Sequence, residues 1–227
     1  TYPYIGMPIS TEQVIDIAGA LTPIKQAVNT LAQLSTANGG IYPYISEVNE
    51  TNYQVDSDGS TVHQLASITT STSLDTWGNV TSLKVETLDS SSNVLHATLT
   101  SNLYKGAGGG AAKGRLSETV VTKAQGTISG DCQGDNAICR TSSFKYHSNG
   151  LLRSTEVNGL KTAYTYNAFG HKTLVSKTAT MADQSTETVT LTTQSQYSDD
   201  GRFLSETIDP AQLTTTYFYN DLAANSA

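Results

Sequence analysis

The chain has 227 residues, 13 Lys and Arg against 20 Asp and Glu, a formal charge of −7 and only 15% charged residues. That is enough length to bury a core in one large all-β domain or two small ones. The acidic balance, with no clustered basic face, argues against nucleic acid as a partner, and without an apolar run of 18 residues no helix can cross a membrane.

Roughly a quarter of the chain is Ser or Thr. Thr favours strands because branching at Cβ stiffens χ1 and suits a pleated surface, so uncharged hydroxyls do the solvating that Lys and Glu usually do. The chain begins at Thr1 without a signal-type segment and ends in a Ser/Ala-rich tail after a strand-like stretch. Both ends read as cut from a longer protein.

In chain order, "TYPYIGMPIS" and "GGIYPYISEV" read as extended, Pro-interrupted aromatic segments. Between them, Leu21 to Leu34 fits two states. Thr22 and Pro23 can open a helix with Ile24, Val28 and Leu31 on one face, and the same stretch can run as a strand. "YQVDSDGSTVHQL" from Tyr53 reads as a hairpin with a long turn. Its Asp56 to Gly59 resembles the start of a calcium loop, but lacks a Glu at the twelfth position. In "LDTWGNVTSLKVE" from Leu74, Thr81, Leu83, Val85 and Thr87 share one strand face.

"YKGAGGGAAKGRL", Tyr104 to Leu116, reads as a flexible Gly-rich loop over 105–114. A phosphate cradle would need a helix after the glycines, and "RLSETVVTK" reads as a strand. Cys132 and Cys139 lie in "GDCQGDNAIC", where a local disulfide can close a hairpin. Two free thiols are the alternative; zinc would need two further ligands, and none sits at suitable spacing. A disulfide implies export from the reducing cytosol.

Three further segments repeat one theme: aromatic, polar, two variable residues, Gly, then an alternating strand. They are "YHSNGLLRSTEV" from Tyr146, "YNAFGHKTLVSK" from Tyr166 and "YSDDGRFLSETI" from Tyr197; "YFYNDL" from Tyr217 reads as a further copy cut before its glycine. Gly150, Gly170 and Gly201 supply the turns. Leu160, Thr162, Tyr164 and Tyr166 share a face. One hairpin cannot bury its apolar face alone, so the units stack into an extended, curled antiparallel sheet. We expect an entry segment over 1–60 and repeats over 61–227.

Little in the chain promises chemistry. His63, His96, His147 and His171 show no convergence with carboxylates, and the two at the turns read as solvated. Asp199 and Asp200 read as turn residues rather than an acid–base pair. The 12 tyrosines read chiefly as cross-strand aromatic glue, with stacking on sugars the alternative. Asn49 and Asn79 are glycosylation acceptors only in a eukaryotic secretory setting. We expect no enzyme, no catalytic or metal residue and no cofactor.

The Tyr-x-x-x-Gly units resemble the YD repeats of the Rhs family, whose usual form is Tyr-Asp-x-x-Gly-Arg followed by a strand. Asn167, Ser198 and His147 replace the Asp, and among these units only Gly201-Arg202 keeps the Gly-Arg pair. The succession "GMPIS", "YPYISEVNETNYQVDSDGS", "DTWGNVTSLKVET", "KGRLSETVVT", "RTSSFKYHSNGLL", "TAYTYNAFGHK" and "YSDDGRFLSETID" is similar to the start of the repeat region in B components of insecticidal toxin complexes and related plasmid-virulence proteins. The resemblance implies strand rather than helix over Leu21 to Leu34. It implies a hollow β-sheet shell that encloses a toxin polypeptide in a secreted or cell-surface bacterial protein. Its partners would be the rest of its own shell chain, the enclosed toxin and other toxin-complex subunits. The family's aspartyl self-cleavage motif is not in this sequence. The alternative is a glycan-binding or adhesion module, with a hydrolase third.

Overall fold

A computed structural model describes residues 3–17, 19–36, 38–56, 62–106, 114–180 and 188–219. All of their regular structure is β: 14 strands, antiparallel wherever a pairing is described. The chain divides into two compact units, one containing Thr1–Gly106 and Gly114–Thr141, the other Ser142–Ala227.

The first unit holds β1 (Ser10–Ile17), β2 (Ala20–Ser35), β3 (Ile41–Val55), β4 (Val62–Leu74), β5 (Val80–Leu88), β6 (Val94–Tyr104) and β7 (Leu116–Gln125), each paired with the next. Leu21 to Leu34 is thus strand, inside the 16-residue β2. Pro23 explains how a proline fits there: it pairs with Val14 where the β1 register slips by one residue, so its missing N–H falls at an irregularity.

The second unit holds the end of β8 (Asp135–Tyr146), then β9 (Leu152–Val157), β10 (Leu160–Tyr166), β11 (Lys172–Thr180), β12 (Thr188–Tyr197), β13 (Leu204–Ile208) and β14 (Thr214–Thr216), again paired in order. At the outer ends, β1 pairs only with β2 and β14 only with β13 among the described residues.

Directly opposed residues share a sheet face. The register therefore puts Ser10, Val28, Asn49, Thr69, Glu86, Ala97 and Ala124 in one row across the first unit. Asn29, Val48, Thr70, Val85, Thr98 and Lys123 make the row on the opposite face. Both faces mix polar with apolar. The buried hydrophobics among the described residues are Ala97, Val120, Ala124 and Ile128, while Ile138, Phe169 and Leu103 are more than half exposed. Side-chain hydrogen bonds take over part of the cohesion. Thr69 donates to Asn49 Oδ1 at 2.7 Å, and Asn49 donates to Glu47 Oε1 at 2.8 Å.

Candidate functional site

Turn after turn is closed by the same two backbone hydrogen bonds. The first turn residue donates its N–H to the carbonyl four positions on, and the fourth donates back to the first. Asp75–Asn79, Asp89–Asn93, His147–Leu151, Asn167–His171 and Asp209–Leu213 all do this, as does Thr36–Gly40; Ser198–Phe203 is one residue longer. The fourth residue must be left-handed, and Gly39, Gly78, Gly150, Gly170 and Gly201 have φ between 71° and 86°. Ser92 and Gln212 hold that position at φ 66° without being glycine. These turns carry no Tyr-x-x-x-Gly pattern and extend the repeat beyond the units that the sequence displays.

The Gly-rich stretch belongs to the series as well. Lys105 donates to Arg115 and Gly114 back to Lys105, at 2.9 and 2.8 Å. Gly114 has φ 73°, so Tyr104, Lys105, Gly114 and Arg115 occupy the positions of a Tyr-x-x-x-Gly-Arg unit with an insertion inside the turn. Gly201-Arg202 is therefore not the only pair to keep Gly-Arg. The remainder of the expected flexible loop, 107–113, lies outside the described residues, as does most of the Asp56 to Gly59 turn.

The first turn residue explains why the repeat favours Asp there. Asp75 Oδ1 accepts the N–H groups of Trp77 and Asn79 at 2.8 and 2.9 Å, and Asp89 Oδ1 those of Ser91 and Asn93 at the same distances. Asp209 repeats the arrangement on Ala211 and Leu213, and Asn167 reproduces it on Phe169 and His171 with an amide oxygen. Partial burial pushes the Asp75 carboxyl up, but hydrogen bonds from the Asn79 amide and the turn N–H groups outweigh it and hold it below the usual carboxylate range. The Asn93 amide holds Asp89 down in the same way. Asp200 is held down by the Ser198 hydroxyl and the Arg202 N–H. It is a turn acceptor, with the Arg202 guanidinium 3.5 Å away.

The tyrosine before the turn ties the end of its strand to the start of the strand it pairs with. Tyr166 donates its phenol O–H to the carbonyl of Leu152, the residue just after the preceding turn, at 2.8 Å. Tyr104 bonds likewise to Val80, the residue just after the Asp75–Asn79 turn, at 3.0 Å. Burial, then the neighbouring Tyr164, pushes the Tyr166 phenol up. Tyr164 itself takes the Lys172 ammonium 4.5 Å above its ring, and Tyr146 stands opposite Leu152 in the β8–β9 pairing.

His147 and His171 are half-buried rather than solvated. The His147 ring meets Tyr166 edge-on at 5.9 Å, and His171 stacks on Tyr197 at 4.8 Å. Each histidine of one turn packs on the tyrosine of the next, and Phe203 continues the pattern on Tyr219 at 4.9 Å. Such contacts link hairpins distant in sequence, which is why turn composition alone reads as solvated. Gly201 is constrained twice, because a Cβ there would stand 2.6 Å from Cγ of Phe169 in the preceding turn.

Among the described residues no group of three His, Cys, Asp or Glu could hold a metal ion. His63 stands 3.4 Å from Asp56 on the surface. Cys132 and Cys139 are joined in a disulfide, Cα atoms 5.2 Å apart. A cleft of about 190 Å³ opens between His147, Asn149, Thr165, Tyr166 and Asn167. Among the described residues no helix is long and apolar enough to cross a membrane.

No protein-family model matches the chain, and no curated protein matches it by sequence. Among solved structures the chain is similar to the crystal structure of TcdB2-TccC3, at 13% identity and a TM-score of 0.34. The match covers 91% of this chain and 12% of that one, so the chain spans about an eighth of that structure's length.

Proposed function

We propose that the chain is a stretch of wall in an Rhs/YD-repeat shell, structural rather than enzymatic, which encloses a toxin polypeptide in a secreted bacterial toxin. The observation that carries this reading is the recurrent tie between neighbouring strands and turns: the repeat tyrosine that ends one strand reaches the start of its paired strand at both Tyr104 and Tyr166, and the histidine of one turn packs on the tyrosine before another. A unit of that kind has its meaning in repetition, since each copy completes the one before it.

The mixed polarity of both faces supports the same role. A wall must be wetted on two sides and must hold a polypeptide without a continuous apolar patch that would bind it tightly. The rest of the shell chain would continue the sheet beyond β1 and β14, the toxin would lie against one face, and other toxin-complex subunits would meet the assembled shell.

Electron microscopy of the native protein that carries this segment tests the reading. A hollow compartment walled by β-sheet is expected, with the enclosed polypeptide resisting protease until the wall is opened. A solid globular domain, or a toxin segment cut as fast as free polypeptide, would sink it. The cleft beside Tyr166 favours glycan contact as a second reading, since an aromatic face with Asn and His neighbours suits a sugar ring. Glycan-array binding that is lost in Asn149→Ala would support it.

A further inference from the structure

The hydrophobic cluster of the first unit is capped by the chain itself, and the cap carries the disulfide. After β7 the chain turns at Gly126 and lays residues 127–134 over Ala97, Leu99, Thr122 and Ala124. Ile128, 5% exposed, packs on Ala97 and Ala124. Thr122 is fully buried, and its hydroxyl accepts the Cys132 N–H at 2.8 Å. Asp131 accepts the Ser101 hydroxyl at 2.6 Å. Gly134 lies so close that a Cβ there would be 2.9 Å from Ala124 Cβ.

The strap is held in a conformation its residues do not favour. Cys132 is left-handed, at φ 58°, which for a side chain with a Cβ costs on the order of 1 kcal/mol. Its return is also incompletely packed, leaving a cleft of about 400 Å³ between Asn136 and Ile138 on one side and His96, Ala97 and Gln125 on the other. What fixes that return is the bond from Cys132 in the strap to Cys139 in β8. Cys132 is exposed and Cys139 half-buried, so a small thiol can reach the pair.

The geometry points to a redox-controlled strap: the Cys132–Cys139 disulfide holds residues 127–134 over the apolar patch of β6 and β7, and reduction uncovers it. A small-molecule thiolate attacks one sulfur and forms a mixed disulfide, and the other cysteine leaves as a thiolate and takes up a proton. A second thiol resolves the mixed disulfide, so two thiols are oxidised to one disulfide as two cysteines are reduced. An oxidising exterior keeps the strap closed and a glutathione-rich interior opens it. This goes beyond the wall reading and does not depend on it.

Hydrogen exchange of the full chain, with and without dithiothreitol, tests the strap. Reduction should speed exchange at the Cys132 amide and its strap neighbours on the order of 30- to 100-fold, the loop-closure contribution of so short a ring. The β5–β6 and β6–β7 amides should stay protected. The double variant Cys132→Ser/Cys139→Ser should match the reduced chain without reductant. Unchanged strap exchange would mean that Ile128 packing alone holds it, and loss of protection throughout the first unit would make the disulfide a global staple. Either result overturns the switch. Should the variant fail to fold, reduction of the folded native chain still decides.

Discussion

Tyr166 donates its phenol hydrogen to the carbonyl of Leu152 across the preceding turn, at 2.8 Å. The bond closes the open end of the β9–β10 pair, from the last residue of β10 to the first of β9, and Tyr104 repeats it on Val80 across β5 and β6. Tyr166→Phe keeps the ring and removes the donor, so the expected loss is about 0.5–1.5 kcal/mol. Tyr104→Phe should cost a similar amount in the first unit. Urea denaturation of each variant checks this, with a lower midpoint and an unchanged slope expected.

Acid should loosen the aspartate-capped turns. The folded-state pKa values of Asp75 and Asp89 are depressed, so their contribution is complete above the unfolded carboxylate value, about 3.9, and is lost as pH falls through the folded values. Asp75→Asn with Asp89→Asn should flatten the dependence of stability on pH below about 4. Asn167 shows that an amide oxygen can accept the same two N–H groups. Thermal melts at pH 3 and pH 7 give the comparison. An equal acid loss in the double variant would assign the effect to other carboxylates.

Ser92 and Gln212 stand where the turn calls for a left-handed residue, both at φ 66°. Ser92→Gly and Gln212→Gly should each raise stability by up to about 1 kcal/mol, the left-handed penalty less the extra chain entropy of glycine. The reverse change, Gly170→Ala, meets no neighbour within 4 Å and should lose about 1–2 kcal/mol from backbone strain alone. Gly201→Ala adds the collision with Phe169 and should be the more damaging of the two. Midpoints of chemical denaturation rank all four variants.

The Gly-rich insertion should be dispensable. Deleting residues 108–113 leaves Tyr104-Lys105-Gly106-Ala107-Gly114-Arg115, which restores the ordinary spacing between the first turn residue and its left-handed glycine. The shortened chain should keep the β6–β7 pairing and melt no lower than the parent, because a shorter loop costs less closure entropy. A loss of β-sheet signal in circular dichroism would show that the insertion is needed for folding.

Much of the repeat was legible from local chemistry. Gly78, Gly150, Gly170 and Gly201 can be read directly, because a left-handed turn position selects glycine and the flanking residues alternate. Asp89–Asn93 and Asp209–Leu213 lack the signal because Ser92 and Gln212 replace the glycine in "LDSSSNV" and "IDPAQLT", and Thr36–Gly40 keeps Gly39 but has Ser35 and Thr36 where the apolar residue and the Asp of "LDTWG" stand. The Lys105–Arg115 turn was hidden because an insertion separates its tyrosine from its glycine. Leu21 to Leu34 suited helix or strand locally, and pairing on both sides with β1 and β3 settled it.

Outside Leu21 to Leu34, the sequence by itself determined the element type, and throughout it determined the turn chemistry and the low charge of both faces, since these follow from backbone preferences and side-chain polarity within a few residues. Only the tertiary structure decided what the turns do to one another. His171 on Tyr197, Phe169 against Gly201 and the strap of Ile128 over Ala97 all join residues from different hairpins. Their meeting depends on the register between strands and on where each bulge falls, and a one-residue slip would turn every side chain to the other face.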